Sequence, residues 1–283
     1  MNLKILILLI SIWIFWSCQE VIQIDLSEGP QRLVVEGRIE KIKGKVNGYQ
    51  KIRLTTTSNY FSNQPAPTVS NVFISVSDNK GNNYVFTESG QEPGLYEVTD
   101  LFAEVGETYT LRIDYRGEIY EARATLLPVA DIDSIYQEFK AKTLFDEEGI
   151  RIKVDFTDPP QPGNYYYWEQ FRDGEIFINP NPGTKWTLVS SDEFFNGLKV
   201  IGREPNSDMI YDAGQKALVR QYAISEQFYN YMFLLYEQAT GGGPNEAPPA
   251  TLRGNIKNIT NPENYPLGFF GASEVAEAEL LVR

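Results

Sequence analysis

The sequence predicts a mainly β protein, an antiparallel β-sandwich followed by a second β-rich domain with one amphipathic helix. Three observations predict it. Apolar residues recur with period two in short runs from Arg32 onward; Gly, Pro, Asn and Asp break those runs at short intervals; and the segment near 226–239 changes to the 3.6-residue period of a helix.

The chain opens differently. Met1 to Lys4 carry one positive charge, and Ile5 to Trp16 are apolar apart from Ser11. A membrane-spanning helix needs roughly 20 apolar residues, so this run has the length of a secretory signal rather than of a span. Ser17-Cys18 supplies the small residue and the cysteine that end a bacterial lipobox, with Phe15 where a leucine-like residue is usual and Trp16 where a small one is. Residues 1–17 are therefore expected to be a signal peptide and Cys18 the lipidated first residue of the mature chain, carrying diacylglycerol and palmitate. Residues 18–31 form a tether. Ordinary signal cleavage and an unmodified thiol are the alternatives. Several acyl chains, at about 0.8 kcal/mol per buried CH2, would make such an anchor nearly irreversible.

In "RLVVEGRIE" Leu33, Val35 and Ile39 alternate with Arg32, Glu36, Arg38 and Glu40, and "KIRLTTT" sets Ile52 and Leu54 against Lys51 and Arg53. "NVFISVSD" places Val72, Ile74 and Val76 on one face before Asp78-Asn79-Lys80-Gly81 turns the chain into "NNYVFTE". "GLYEVTD" and "ETYTLRIDY" follow, the latter with Tyr109, Leu111, Ile113 and Tyr115 together. Arg116-Gly117-Glu118 then turns into "EIYEARATL". Seven or eight short strands at this spacing make residues 32–127 an Ig-like antiparallel sandwich.

Leu126 to Ala130 read as a boundary, and residues 131–283 as the second domain. There "GIRIKVDFTD" alternates Ile150, Ile152, Val154 and Phe156, and the Pro/Gly-rich turn at 159–164 leads into "YYYWEQFRDG" as a long hairpin. "KALVRQYAI" at 216–224 is a further strand. Ser225 is placed to cap a helix in which Phe228, Met232, Leu235, Tyr236 and Ala239 share a core-packing face, and Gly241 is placed to end it. "GGGPNEAPP" beyond it is a loop.

Composition prunes the possible functions. With 25 Lys+Arg against 38 Asp+Glu, a net charge of -13 and no basic block, the chain lacks the face that nucleic acid or an anionic membrane surface would need. It has no histidine, which excludes Ser-His-Asp and Cys-His catalysis and HExxH zinc chemistry. One cysteine builds neither an internal disulfide nor a cysteine-rich zinc site. No cofactor and no catalytic residue is assigned.

Three features could carry chemistry. Tyr165, Tyr166, Tyr167, Trp168 and Phe171, with Trp186 nearby in sequence, could form a stacking platform. On a strand, however, Tyr165, Tyr167 and Phe171 face one way and Tyr166 and Trp168 the other, so packing and interface roles compete with it. Asp131, Asp133, Asp146, Glu147, Glu148, Asp155 and Asp158 could supply a glycosidase pair or a calcium site, but no D-x-D-x-D-G loop is present. Asp133-Ser134-Ile135 fits an Asp-Ser/Thr-aliphatic O-glycosylation pattern.

"RLVVEG" at 32–37, "TTTSNYF" at 55–61, "GETYTLRI" at 106–113, "DEFFNG" at 192–197 and "PLGFFGAS" at 266–273 occur in the order in which a known family carries them. The sequence resembles domain-of-unknown-function family 4249, lipoproteins of Bacteroidota-type bacteria. The resemblance implies an outer-membrane lipoprotein in a lineage where such proteins accompany TonB-dependent transporters. It assigns no catalytic residue. The expectation is a non-enzymatic accessory or substrate-binding component, lipid-anchored to the outer membrane on either face, with a β-barrel transporter as partner and its ligand unknown. A carbohydrate-active enzyme using an Asp/Glu pair and an adhesive or structural surface protein are the rival readings.

Overall fold

In the computed structural model, apolar alternation becomes strand pairing from the first described element onward. The described residues are 29–58, 64–144, 147–176, 188–240 and 252–283. The leader, Cys18, Asp146, Trp186 and Gly241 lie outside them, as do the loop at 241–249 and part of "TTTSNYF".

Seven strands fill the expected sandwich region: β1 (Leu33–Ile42), β2 (Gln50–Thr56), β3 (Phe73–Asp78), β4 (Asn83–Glu88), β5 (Leu95–Val98), β6 (Thr108–Tyr115) and β7 (Glu118–Thr125). Then come β8 (Ile132–Lys140), β9 (Gly149–Thr157), β10 (Tyr165–Arg172), β11 (Glu175–Ile176), β12 (Val189–Ser191), β13 (Lys199–Arg203) and β14 (Lys216–Ile224). Helix α1 (Glu226–Thr240) precedes β15 (Lys257–Asn258) and β16 (Leu267–Leu281). The class is mainly β, as the alternation predicts.

A 13-stranded sheet runs in the order β11-β10-β14-β16-β1-β2-β5-β4-β3-β6-β7-β15, with β12 also on β10; β13-β9-β8 form a second sheet. β4 turns a corner, pairing with β3 through its first residues and with β5 through Thr87 and Glu88. Both expected hairpin turns are present. Asp78 accepts from the backbone of Lys80 at 3.0 Å and Asn82 at 2.9 Å, and Arg116 and Gly117 both take positive φ (52° and 78°), the geometry that matches strand twist in a tight hairpin.

Two pairings depart from the sequence reading. β1 pairs with β2 antiparallel but with β16 in parallel, from Val34↔Leu267 to Ile42↔Val275, so the large sheet is mixed. β9 and β10 are not a hairpin: β9 pairs with β8 and β13, β10 with β14. The turn at 159–164 carries the chain from one sheet to the other, because each strand's buried face packs against the same interior.

That interior has three parts. Leu33, Val35, Ile39, Ile52, Leu54, Ile74, Leu111 and Ile113 fill the first core, which ends in sequence at Leu126 apart from contributions such as Phe270. Val129 opens the second, between the small sheet and the large one, with Ile152, Val154, Phe156, Tyr166 and Trp168. The chain changes core between Leu126 and Val129. The backbone continues across that point, since β16 pairs with both β1 and β14, and Gln31–Arg283 make one compact unit.

The third core lies under α1 and includes Tyr222, Ile224, Phe228, Phe269 and Val275. Ser225 accepts from the Phe228 amide at 3.1 Å, the expected cap. Phe228 and Met232 pack inward as the helical period predicts, whereas Leu235 is 38% exposed, beside exposed Phe233 and Leu234. The start of β16 requires glycine at 268: φ is +88°, and a Cβ there would stand 2.0 Å from the Val35 carbonyl oxygen. No helix among the described residues is long and apolar enough to cross a membrane.

Candidate functional site

The aromatic run on β10 is divided between two cores. Tyr166 and Trp168 point into the second core, their rings 5.7 Å apart and nearly parallel. Trp168 donates to Gln221 at 3.0 Å and Tyr166 donates to Asp158. Tyr165 and Tyr167 face α1, against Tyr229 (5.2 Å) and against Tyr222 and Phe228 (5.5 and 6.0 Å). The Arg220 guanidinium covers Phe171 at 5.3 Å. Of the roles weighed for the run, packing is what its described residues show, on both faces of β10.

Beneath α1 the same sheet face carries a layer of charge. Arg38 stands on β1 opposite Gly271 of β16. Because residue 271 has no side chain, the Arg38 stem crosses β16 and lays its guanidinium 4.6 Å from the Tyr222 ring, 5.0 Å from Tyr167 and 5.1 Å from Phe228. Its nearest carboxylate oxygens belong to Glu169 at 3.8 Å and Glu40 at 4.0 Å. Tyr222 donates to Glu169 at 2.5 Å. Alongside, Arg220 pairs with Glu277 at 2.8 Å, and Lys45 also reaches Glu277. Burial pushes the Glu40 carboxyl above the ordinary carboxylate range, with Arg38 opposing. Burial, reinforced by Glu40 and Glu169, lifts the Tyr222 hydroxyl well above an ordinary phenol.

A cavity of about 220 Å³ opens beside this layer, between the first turn of α1, β16 and the end of β7. Arg38, Arg123, Ser225 and Asn255 give it polar walls and Phe228 and Phe269 apolar ones; no Asp or Glu lines it. Asn255 is held by both its donor and its acceptor to the backbone of Phe270, at 2.7 and 2.9 Å. Arg123, exposed at the rim, forms no ion pair among the described residues.

A second cavity, about 240 Å³, is lined by Tyr115, Arg116, Glu118 and Asn264 among others. Its carboxylate is fully engaged. Glu118 accepts from Tyr120 (2.7 Å), Asn258 (2.9 Å), Asn261 (2.9 Å) and Asn264 (2.6 Å), which fasten the 258–264 segment to β7. The Tyr120 hydroxyl and the asparagine amides hold its pKa below the usual carboxylate range, against the effect of burial.

The acidic candidates are dispersed into separate structural tasks. Asp131 pairs with Lys43 at 2.7 Å and Glu147 with Lys142 at 2.9 Å. Asp133 accepts from Thr157 at 2.8 Å. Asp155 accepts from the Gly202 amide at 2.8 Å, and buried Asp158 takes the Tyr166 hydroxyl and the Gly197 amide. No group of three or more His, Cys, Asp or Glu among the described residues is placed to hold a metal ion. Ser134 of the O-glycosylation pattern is exposed on β8, at the edge of the small sheet.

Sequence reasoning passed over Arg38, Arg123 and Gly271. Arg38 counted only as the polar half of an alternating strand. Gly271, the second glycine of the apolar "PLGFFGAS" run, was the available signal, since a strand glycine leaves room for a neighbouring group to cross it.

Comparison with curated proteins finds no match to the sequence. Residues 19–279 match the model of a family described as "Domain of unknown function (DUF4249)". That match covers most of the sequence, and the chain belongs to the DUF4249 family.

Proposed function

We propose that this chain is a non-enzymatic binding subunit, anchored in the outer membrane through lipid on Cys18, that serves a TonB-dependent β-barrel transporter. The observation that carries the reading is the cavity beside α1. It is concave, part apolar, and lined by a few convergent polar groups on rigid elements, the make-up of a small-ligand site. Its arginines stand in a chain of net charge -13, and no carboxylate faces them. The exposed Phe233, Leu234 and Leu235 on the outer side of α1 offer an apolar contact surface for the barrel.

Co-purification tests the reading. The full chain, tagged at its C-terminus and extracted in mild detergent from its own cells, is expected to bring a β-barrel protein with it in stoichiometric amount. Recovery of the chain alone across several detergents would sink the transporter reading.

A further inference from the structure

We infer that the cavity beside α1 binds a small carboxylate with a compact apolar body, Arg38 supplying the paired donors that grip its oxygens. The inference rests on the reading of that cavity as the ligand site and names the ligand class.

Arg38 is the first support. A guanidinium carries five N–H donors in a planar fork, and here none of them makes a hydrogen bond to a described protein group, the nearest carboxylate oxygens being 3.8 and 4.0 Å away. Three aromatic rings flank the group, and it forms part of the cavity wall. The side chain is 17% exposed and lines the cavity, so donors that no protein group takes are open to an acceptor entering it. The geometry that suits it is bidentate, which a carboxylate provides.

Charge balance is the second. Arg38 and Arg220, with exposed Lys45, are matched by Glu40, Glu169 and Glu277. Neither Glu40 nor Glu169 lines the cavity. Arg123, without an ion pair among the described residues, adds an unmatched positive charge at its mouth. A single negative charge entering there completes the balance.

The apolar lining gives the rest of the ligand its character. Phe228, Phe269, Ile224 and Leu127 line the same cavity as the arginines, so a fully polar anion would leave apolar surface wet, whereas a branched or cyclic aliphatic acid would cover it. About 220 Å³ limits the body to a small molecule.

Titration calorimetry on the full chain in detergent tests this with three probes: 4-methylpentanoate, its neutral counterpart 4-methylpentanamide, and inorganic phosphate. The acid is expected to bind, with the amide and phosphate each roughly tenfold weaker or more. Arg38→Gln is expected to weaken the acid by at least about tenfold, and Arg38→Lys, which keeps the charge and loses the fork, by an intermediate factor. Should the Arg38 variants fail to fold, Arg123→Gln at the exposed rim is expected to weaken the acid several-fold. In the unaltered chain, the guanidinium NMR signal of Arg38 is expected to move as the acid is added. Equal affinity for acid and amide, tighter binding of phosphate, no heat at saturating probe, or an unmoved Arg38 signal would each overturn the inference. A chain that co-purifies with a barrel but ignores the acid would lose this inference alone, and one that binds the acid without a barrel would lose the transporter reading alone.

Discussion

Arg38 lies over Gly271, its register partner on the neighbouring parallel strand, so that a Cβ at 271 would sit 3.6 Å from the arginine Cγ and 3.7 Å from its Nε. Those are ordinary contact distances. Gly271→Ala is therefore expected to leave the arginine in place and to change stability by less than about 1 kcal/mol in urea unfolding. Gly271→Leu would occupy the path of the stem, and is expected to abolish carboxylate binding in the calorimeter while the chain still unfolds cooperatively.

Asp158 is buried and serves two donors from different places in the chain, Tyr166 and the Gly197 amide. Asp158→Ala strands both. A loss of about 2–4 kcal/mol is expected from urea denaturation. Tyr166→Phe removes one donor and leaves the carboxylate the other, so its cost should be the smaller of the two.

Glu118 ties the 258–264 segment to β7 as a carboxylate, with a folded pKa held low by Tyr120 and three asparagine amides. A depressed carboxylate stabilises the fold above the unfolded pKa, about 4.3 for glutamate, and that contribution is lost as pH falls through the lower folded value. The side-chain amide NMR signals of Asn261 and Asn264 are expected to shift together below about pH 4.3. Glu118→Gln should produce part of the same shift at neutral pH.

Tyr211 reports at the other end of the scale. Burial pushes its hydroxyl up to about 12, even though the hydrogen bond with Gln170 acts the other way. An unfolded tyrosine ionises near pH 10, so its contribution is complete below about 10 and is lost as pH rises toward about 12. Urea unfolding between those limits is expected to show stability falling by up to about 2–3 kcal/mol from this residue. Tyr211→Phe is expected to shallow the slope.

Cys18 is tested by labelled palmitate. Incorporation in growing cells that disappears in Cys18→Ala is the expected outcome, and label that persists in the variant would refute lipidation at this residue.

Much of the fold was legible because the alternation is local. Leu33, Val35, Ile39, Ile52, Leu54, Ile74 and Val76 are all buried where the period-two pattern put them. Ser225 caps the helix, and the opposed faces of Tyr165/Tyr167 and Tyr166/Trp168 followed from strand geometry alone. Strand partners were not legible. Period two says which side of a strand is buried, not which strand lies beside it, so neither the parallel β1–β16 pairing nor the separation of β9 from β10 could be read. The candidate site was missed for the same reason: Arg38 and Gly271 belong together through a register that spans more than two hundred residues of sequence.

That pairing also orders events in time. β16 lends Phe270 and Ala272 to the first core, Ala276 to the second, and Phe269 and Val275 to the third. A chain emerging with its N-terminus leading, from a ribosome or through a membrane pore, cannot complete any of these cores until residues beyond 267 have followed. Loop closure over such a distance is slow. The unfinished chain would therefore stay pliable enough to thread through a narrow passage, and its final strand would act as the clasp that locks the whole unit shut.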